Sequence, residues 1–511
     1  MRVSLISLLL ISIVHSYKIL VYNIRYSHSH SNFLGNVADI LVEAGHDVTS
    51  FIPIIDPEVK VGTSKTKKVF VKQSPAVKEI LLKMNERKAD FFKLDNFNPV
   101  LTFMMNKAFA SQFIEQCKVV LEETEILKQL QNEKFDVMIV ENFDMCGVAY
   151  AHLVKPKSLI TSSASSPFSY MFEEFGLPLS LSYNPSSYLS TLNVHSMWDR
   201  AKNIYAEWLM HALFYPGRWM IEDLYREKFG ADFPSLQEIS SHSAYTLSNS
   251  EPLIDFATPT LNRVVAIGGI GAKAPKPLDE YWNEVLSRRS KTILLSFGSV
   301  AKSVYLPEDV KMSILSTVAR FPDVTFIWKF EEPENAFAKA ALASLPNLVL
   351  SAWMPQNDLL NDDRITAFIT HGGMGSTQET ALRGKPGIFV PICGDNARNA
   401  GMMQSNELGR VYDKKHLNNA EMMTATIREV LEDPKYATNA KRISKMLARK
   451  PFAARELLIK HVEFAAQFGA SAALRPRSID MNLIEYHNLD ILIICVVTLI
   501  LIFHIITRVI T

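Results

Sequence analysis

The sequence predicts an α/β protein: two doubly wound, Rossmann-like domains facing each other across a cleft, followed by one C-terminal transmembrane helix. Three observations carry this. Short apolar runs of strand length alternate with stretches of helical period in both halves of the chain. At 511 residues the chain is longer than one core ordinarily serves. The segment from Ile491 to Ile506 is almost wholly apolar, interrupted only by Cys495, Thr498 and His504.

Taken in order, the apolar run Val3 to Val14 follows Arg2 and ends near the small residue Ser16, so residues 1–16 read as a signal peptide and Tyr17 as the first mature residue. Lys18 to Asn23 predicts a strand and Arg25 to Asn32 a polar loop. Phe33, Leu34, Val37, Ile40, Leu41 and Ala44 then recur at helical spacing, Gly45 stops the helix, and Asp47 to Pro53 returns as a strand. That is one βαβ unit. The pattern recurs in a helical stretch from Phe113 to Leu130, a strand from Phe135 to Val140 and another from Ser158 to Thr161. Between Ile254 and Ser290 the residues Pro259, Gly268, Gly269, Gly271, Pro275 and Pro277 predict a linker. Gly269-x-Gly271-x-x-Ala274 mimics a dinucleotide fingerprint, but prolines stand where its helix should open, so it reads as turn chemistry. A second set of strands comes next, at Thr292 to Ser296, Thr325 to Trp328, Leu348 to Leu350, Ala367 to Thr370 and Gly387 to Val390. The expected division is a first domain over 17–275, a second over 285–465, a membrane helix over 491–507 and a tail of 508–511. A ligand belongs at the carboxyl ends of both sheets.

Composition narrows the function. Lysine and arginine number 54 against 53 acidic residues, so no net field favours nucleic acid. Four cysteines are too few and too scattered for a disulfide framework or a zinc site, and a single Cys117–Cys146 bridge is left open. No Asp-x-Asp occurs and Asp362-Asp363 reads as solvated charge, so no metal-held diphosphate is expected. The C-terminal run spans roughly 25 to 30 Å as a helix, which suits the thin bilayer of the endoplasmic reticulum. Asp480, Glu485 and Asp490 precede it and Arg508 comes after it, so the expected topology is single-pass type I with the body in the lumen.

The segment from Trp353 to Ala400 carries the chemistry. A strand runs into His371-Gly372-Gly373, with a helix expected to start near Ser376; backbone N–H groups and the positive helix end would face an anion there. His371 can donate to a phosphate, Ser376 can cap the helix and bind phosphate, and Glu379 can accept from ribose hydroxyls. Trp353 offers a flat face for a base. A base for a hydroxyl acceptor is expected in the loop after the first strand, where His28 and His30 stand. Phe91, Phe92, Phe103, Met104, Met105, Phe168, Tyr170, Met171, Phe172 and Phe175 are expected to divide between core and an adaptable apolar pocket.

The segment resembles the signature of the family-one UDP-glycosyltransferases, and the whole chain resembles their membrane-bound UDP-glucuronosyltransferases, including Phe297-Gly298-Ser299 and the stretch Glu485 to Asp490 before the membrane helix. The resemblance implies a GT-B type fold with acceptor in the first domain and UDP in the second. It implies Trp353 on uracil, Gln356 and Glu379 on ribose, Ser299, His371, Gly373 and Ser376 on the diphosphate, and Asp395 with Asn396 on the sugar. His30, sixteen residues before His46, matches the catalytic histidine, with Glu141 as its carboxylate and Asp144 in reserve. The implied reaction is inverting transfer, without metal or prosthetic group, from UDP-glucuronate or UDP-glucose to a small lipophilic acceptor. Arg398 is the candidate cation near the sugar's sixth carbon. Homo- and hetero-oligomers are left open. The chain departs from the family pattern in having Asn396 where glutamine is usual, Glu141-Asn142 where Asp-Pro is usual, and no lysine-rich tail. The alternatives are a UDP-glucosyltransferase on the same fold and a non-catalytic membrane protein, the latter opposed by retention of His30, Glu141, His371 and Glu379.

Overall fold

The computed structural model describes residues 16–86, 92, 95, 97–167 and 169–510, so the expected signal segment lies outside them apart from Ser16. The described strands form two sheets, and every pairing in both is parallel. The first sheet holds β1 (Lys18–Tyr22), β2 (Asp47–Pro53), β3 (Lys67–Val71), β4 (Val137–Glu141), β5 (Ser158–Ser163), β6 (Tyr245–Ser248) and β7 (Val264–Ala266), in the order β3-β2-β1-β4-β5-β6-β7. The second holds β8 (Lys291–Ser296), β9 (Val324–Lys329), β10 (Leu348–Ser351), β11 (Ile365–Thr370), β12 (Gly387–Phe389) and β13 (Gly409–Val411), in the order β10-β9-β8-β11-β12-β13. Helices cover both faces, so central strands such as Ile19-Leu20-Val21 are fully buried rather than alternating.

The order reverses between β1 and β4 in one sheet and between β8 and β11 in the other. At each reversal the neighbouring connections leave in opposite directions and open a crevice at the strands' carboxyl ends.

Several elements differ from expectation. The helix after β1 runs His28–Glu43, so His28 and His30 stand in its first turn rather than in a loop. That turn holds no apolar residue, which hides it from a periodicity reading. The expected helix from 113 to 130 is two, Pro99–Glu122 and Thr124–Glu133, with Glu123 at ψ 63° between them. The supposed linker contains β7 and the helix Glu280–Ser287, capped by Asp279 onto the Trp282 N–H.

Helix Ala454–Phe468 returns to the first sheet, where Leu458, Val462, Ala465 and Ala466 join Ile19, Val137 and Leu247 in one core. The chain beyond it is held to the first half: Ser478 donates to the Gly176 carbonyl at 3.2 Å and Ile479 packs over Gly176, where a Cβ would collide. It then enters helix Leu489–Ile510, which is long and apolar enough to cross a membrane and whose membrane-length stretch is not buried against the rest of the chain. Cys117 and Cys146 form a disulfide that ties helix Pro99–Glu122 to the start of helix Met145–Val154, with Cα atoms 5.7 Å apart.

Candidate active site

β1 and β4 are parallel neighbours, so their carboxyl ends bring together the segments that leave each. His30, in the turn after β1, meets Glu141, the last residue of β4: Nδ1 and Oε1 are 2.6 Å apart. The same carboxylate oxygen accepts the Ala164 N–H at 3.0 Å. The carboxylate side chain is 2% exposed and the imidazole 18%, so a sealed acid orients a partly exposed ring. Asp144 is elsewhere. It caps helix Met145–Val154 through the Cys146 N–H, and burial pushes its carboxyl up to about 7.

The second crevice repeats the design with different chemistry. β8 leads to Phe297-Gly298-Ser299 and β11 to His371-Gly372-Gly373, and the His371 ring lies against two glycine backbones. A Cβ on Gly298 would sit 2.6 Å from the ring and one on Gly373 2.5 Å from its Nε2, so a larger residue at either position must displace the ring. Burial, aided by the Lys329 charge, pulls His371 down to about 4, which keeps it neutral near pH 7. Helix Met374–Leu382 starts two residues before Ser376, with Gly373 at its N-cap; Ser376 is its third residue and does not cap it. The Ser376 hydroxyl instead accepts from Gln356 Nε2 at 3.1 Å, which also donates to Glu379 at 2.6 Å. Burial raises the Glu379 carboxyl.

Beside them a cavity of about 470 Å³ lies between the halves, lined by His28, Asn32 and Asn36 on one side and Gly298, Ser299, Trp353, Gln356 and Glu379 on the other; His371, Gly373 and Ser376 are not among its lining residues. Trp353 is 62% exposed, with the Lys60 and Lys329 ammonium groups 5.1 and 5.6 Å from its ring centre. Lys329 escapes a reading of the sequence. It ends β9, lines the cavity, donates to the Gly298 carbonyl at 2.6 Å and pairs with Glu331 at 3.4 Å, and burial lowers its pKa. The available signal is a buried strand, Val-Thr-Phe-Ile-Trp, that closes on a charge at its carboxyl end.

Asp395 lies beyond β12 and accepts from Asn399 at 2.9 Å and Asn396 at 3.2 Å. Burial raises its pKa, and the His30 charge acts on it across the cleft in the opposite sense. The Asn396 amide oxygen accepts the Cys393 N–H at 3.2 Å and the group is buried; neither it nor Asp395 lines that cavity. Arg398 is already paired, with Asp255 at 2.6 Å, beneath the Phe256 ring.

The apolar side is built from residues other than those expected. Met171 and Phe175 are core, with Phe172 packed on them; Phe92 packs on Phe297 of the second half at 5.9 Å, and Phe103 and Met104 are exposed. Phe91 and Phe168 lie outside the described residues, as do the side chains of Met105 and Tyr170. The rings around His30 are Tyr26 at 4.8 Å and Phe143 at 5.1 Å, the latter bordered by Phe109, Phe113 and Phe214. Four of these five line an apolar cavity of about 50 Å³: Phe109, Phe113, Phe143 and Phe214.

The model of the family described as UDP-glucoronosyl and UDP-glucosyl transferase matches residues 17–511. The chain belongs to this family. Among its relatives, the putative UDP-glucuronosyltransferase ugt-48 of Caenorhabditis elegans is 27% identical over 94% of the chain and 91% of its own length. UDP-glucuronosyltransferase 3A1 of Bos taurus is 31% identical over 75% of the chain and 72% of its own length. Two solved structures share the fold. The glycotransferase of kitacinnamycin superposes at TM-score 0.60 and 16% identity, covering 89% of the chain and 99% of its own. The spinosyn rhamnosyltransferase SpnG complexed with thymidine diphosphate superposes at 0.56 and 14%, covering 88% and 100%. The glycosyltransferase therefore has a GT-B fold of two facing parallel sheets, and a nucleotide-sugar donor fits its family.

Proposed function

We propose that the enzyme transfers a sugar, with inversion, from a UDP-sugar to the hydroxyl of a small lipophilic acceptor, with His30 as the base. The observation that carries this is the 2.6 Å contact between His30 Nδ1 and Glu141 at the first crevice, facing Asp395 of the other half. His30 takes the acceptor's proton; the acceptor oxygen bonds to the anomeric carbon as the bond from that carbon to the diphosphate oxygen breaks, and UDP leaves. Glu141 holds the ring's orientation and stabilises the imidazolium that forms. On the donor side, Trp353 faces the uracil, Gln356 and Glu379 the ribose, and Ser299, Gly373, Ser376 and neutral His371 the diphosphate. Lys329 supplies cationic charge in place of a metal. Asp395 binds sugar hydroxyls, and Asn396 holds Asp395 rather than touching the sugar. The acceptor packs against Phe143 and its neighbouring rings.

The proposed division is a first domain over 17–275 and a second over 285–465, with the body in the lumen of the endoplasmic reticulum. The Cys117–Cys146 disulfide supports an oxidising compartment of that kind. The names of the relatives support a glucuronate donor. The Arg398–Asp255 pair favours a second reading, an uncharged UDP-hexose such as UDP-glucose, because a guanidinium already neutralised at 2.6 Å is a poor partner for the glucuronate carboxylate. Microsomes carrying the enzyme, assayed with radiolabelled UDP-sugars and a simple phenol, decide between them. The second reading expects glucose to transfer faster than glucuronate. Faster glucuronate transfer returns the assignment to the first, and no transfer from any donor overturns the enzyme reading.

A further inference from the structure

The turn that carries Glu141 is held by buried charge. Glu141-Asn142-Phe143-Asp144 links β4 to helix Met145–Val154, and the Asp144 N–H closes it on the Glu141 carbonyl at 2.9 Å. Three of its side chains already have a place: Glu141 on His30, Phe143 against His30 and in the wall of the apolar cavity, and Asp144 on the helix cap. Asn142 faces elsewhere. Its N–H donates to the Ser162 carbonyl of β5 at 2.9 Å, and its side-chain amide donates to Glu174 at 2.7 Å.

Glu174 belongs to helix Ser169–Phe175, and its other oxygen accepts from Arg218 of helix Met197–Phe229 at 2.9 Å. Arg218 also faces Glu222 at 3.5 Å, which in turn accepts the Leu236 N–H at 2.8 Å and Arg226 at 3.3 Å. Asn142, Glu174 and Arg218 are 2, 6 and 7% exposed. A buried ion pair holds helices together no better than apolar side chains of like volume, so stability alone does not account for it. A buried hydrogen-bonded network instead fixes one arrangement of the elements it joins. The elements joined here are walls of the apolar cavity's surroundings. Gly217, next to Arg218, lines that cavity with Phe214, and Phe143 packs on Met171 and Phe175 of the helix that carries Glu174.

We propose that Asn142, Glu174 and Arg218 form a positioning strut for the turn 141–144, keeping the Glu141 carboxylate on His30 Nδ1 and the Phe143 ring against the acceptor. The proposal rests on reading His30 and Glu141 as the base and its carboxylate. All three residues act through Glu141 and Phe143 rather than on a substrate. A tilt of the turn shifts both at once, and a misplacement of about 1 Å at a reacting centre costs on the order of 100-fold in rate.

Two substitutions cut the strut at one contact. Glutamine at position 174 offers one side-chain oxygen to two donors, so Glu174→Gln must release either Asn142 or Arg218. Asn142→Ala removes the contact from the other end and leaves the Glu174–Arg218 pair in place. Both are made in the full-length enzyme, alone and combined, with Glu141→Gln beside them. Transfer from the UDP-sugar to a simple phenol gives kcat and the donor KM, and calorimetry gives UDP affinity. Each single variant is expected to lower kcat roughly 10- to 100-fold with donor KM and UDP affinity within about twofold of wild type. The combined variant is expected to be no slower than the slower single one, because both act through one contact. A kcat within about twofold of wild type in either single variant, while Glu141→Gln abolishes transfer, overturns the strut and leaves the His30–Glu141 reading standing. Loss of UDP affinity in step with kcat overturns it in favour of a general weakening of the fold, and multiplied losses in the combined variant overturn it in favour of two separate effects. Transfer at the wild-type rate by Glu141→Gln overturns the His30–Glu141 reading and the proposal with it. If Glu174→Gln fails to fold, Asn142→Ala decides by the same comparison of kcat with KM.

Discussion

Asp144 carries a stability cost. Its carboxyl is buried among Tyr22 and Tyr225 with one oxygen unpartnered among the described residues, and its pKa is near 7. An unfolded aspartate titrates near 3.9. Between about pH 4 and 7 the folded chain therefore holds a proton that the unfolded chain has released, and this group's contribution to stability falls as pH rises through that window. His371 acts in the opposite sense. Its pKa is about 4 folded against 6.5 free, so its contribution is lost as pH falls from about 6.5 to 4. Asp144→Asn keeps the helix cap and removes the ionisation. We expect it to stabilise the protein by about 2 to 4 kcal/mol at pH 8 and by little at pH 4, read from denaturant unfolding in detergent at the two pH values. Equal stability of variant and wild type at pH 8 would show that the ionised carboxylate has a partner. The candidate donor-side residues were legible in the sequence because glycine pairs, histidine and tryptophan have few uses together at a strand end. Lys329 and the His30-side rings were not, because a lysine ending a strand and phenylalanines scattered from 109 to 214 are ordinary until the fold assembles them.

Among the elements, strands built mainly of apolar residues announced themselves and those rich in charged or hydroxyl residues did not. β2 and β11 are apolar enough to stand out, whereas β3 opens on Lys67-Lys68, β6 is Tyr-Thr-Leu-Ser and β13 is three residues long, none with a usable period. The return of helix Ala454–Phe468 to the first sheet likewise leaves no local mark, since its apolar stripe fits either half. Helix Pro99–Glu122 is held by chemistry as well as packing. The Cys117–Cys146 bridge closes a loop with a sequence separation of 29 residues, which in the chain-entropy picture stabilises by about 3 to 4 kcal/mol. Cys117→Ala is expected to lower the unfolding midpoint accordingly. Reductant should lower the wild-type midpoint to the variant's value and leave the variant unmoved; a variant that still responds to reductant would place the sensitivity elsewhere.

At the scale of the whole molecule, two parallel sheets each reverse their strand order at one point, and those two points face each other. One holds a proton acceptor backed by a carboxylate, the other a neutral histidine, glycine backbone and a lysine suited to an anion. The proposed function divides the labour between them: base on the first half, UDP on the second. His30→Ala should therefore abolish transfer while leaving UDP affinity near wild type. His371→Ala should weaken UDP binding by about 1.5 to 3 kcal/mol, the range for a hydrogen bond to a charged group, or roughly 10- to 150-fold in Kd. Both expectations are checked together by calorimetric titration of the two purified full-length variants with UDP, beside a transfer assay on a phenol. Normal UDP binding without transfer for His30→Ala, with weakened binding for His371→Ala, is the predicted result; transfer at the wild-type rate by His30→Ala, or undiminished UDP binding by His371→Ala, would contradict it.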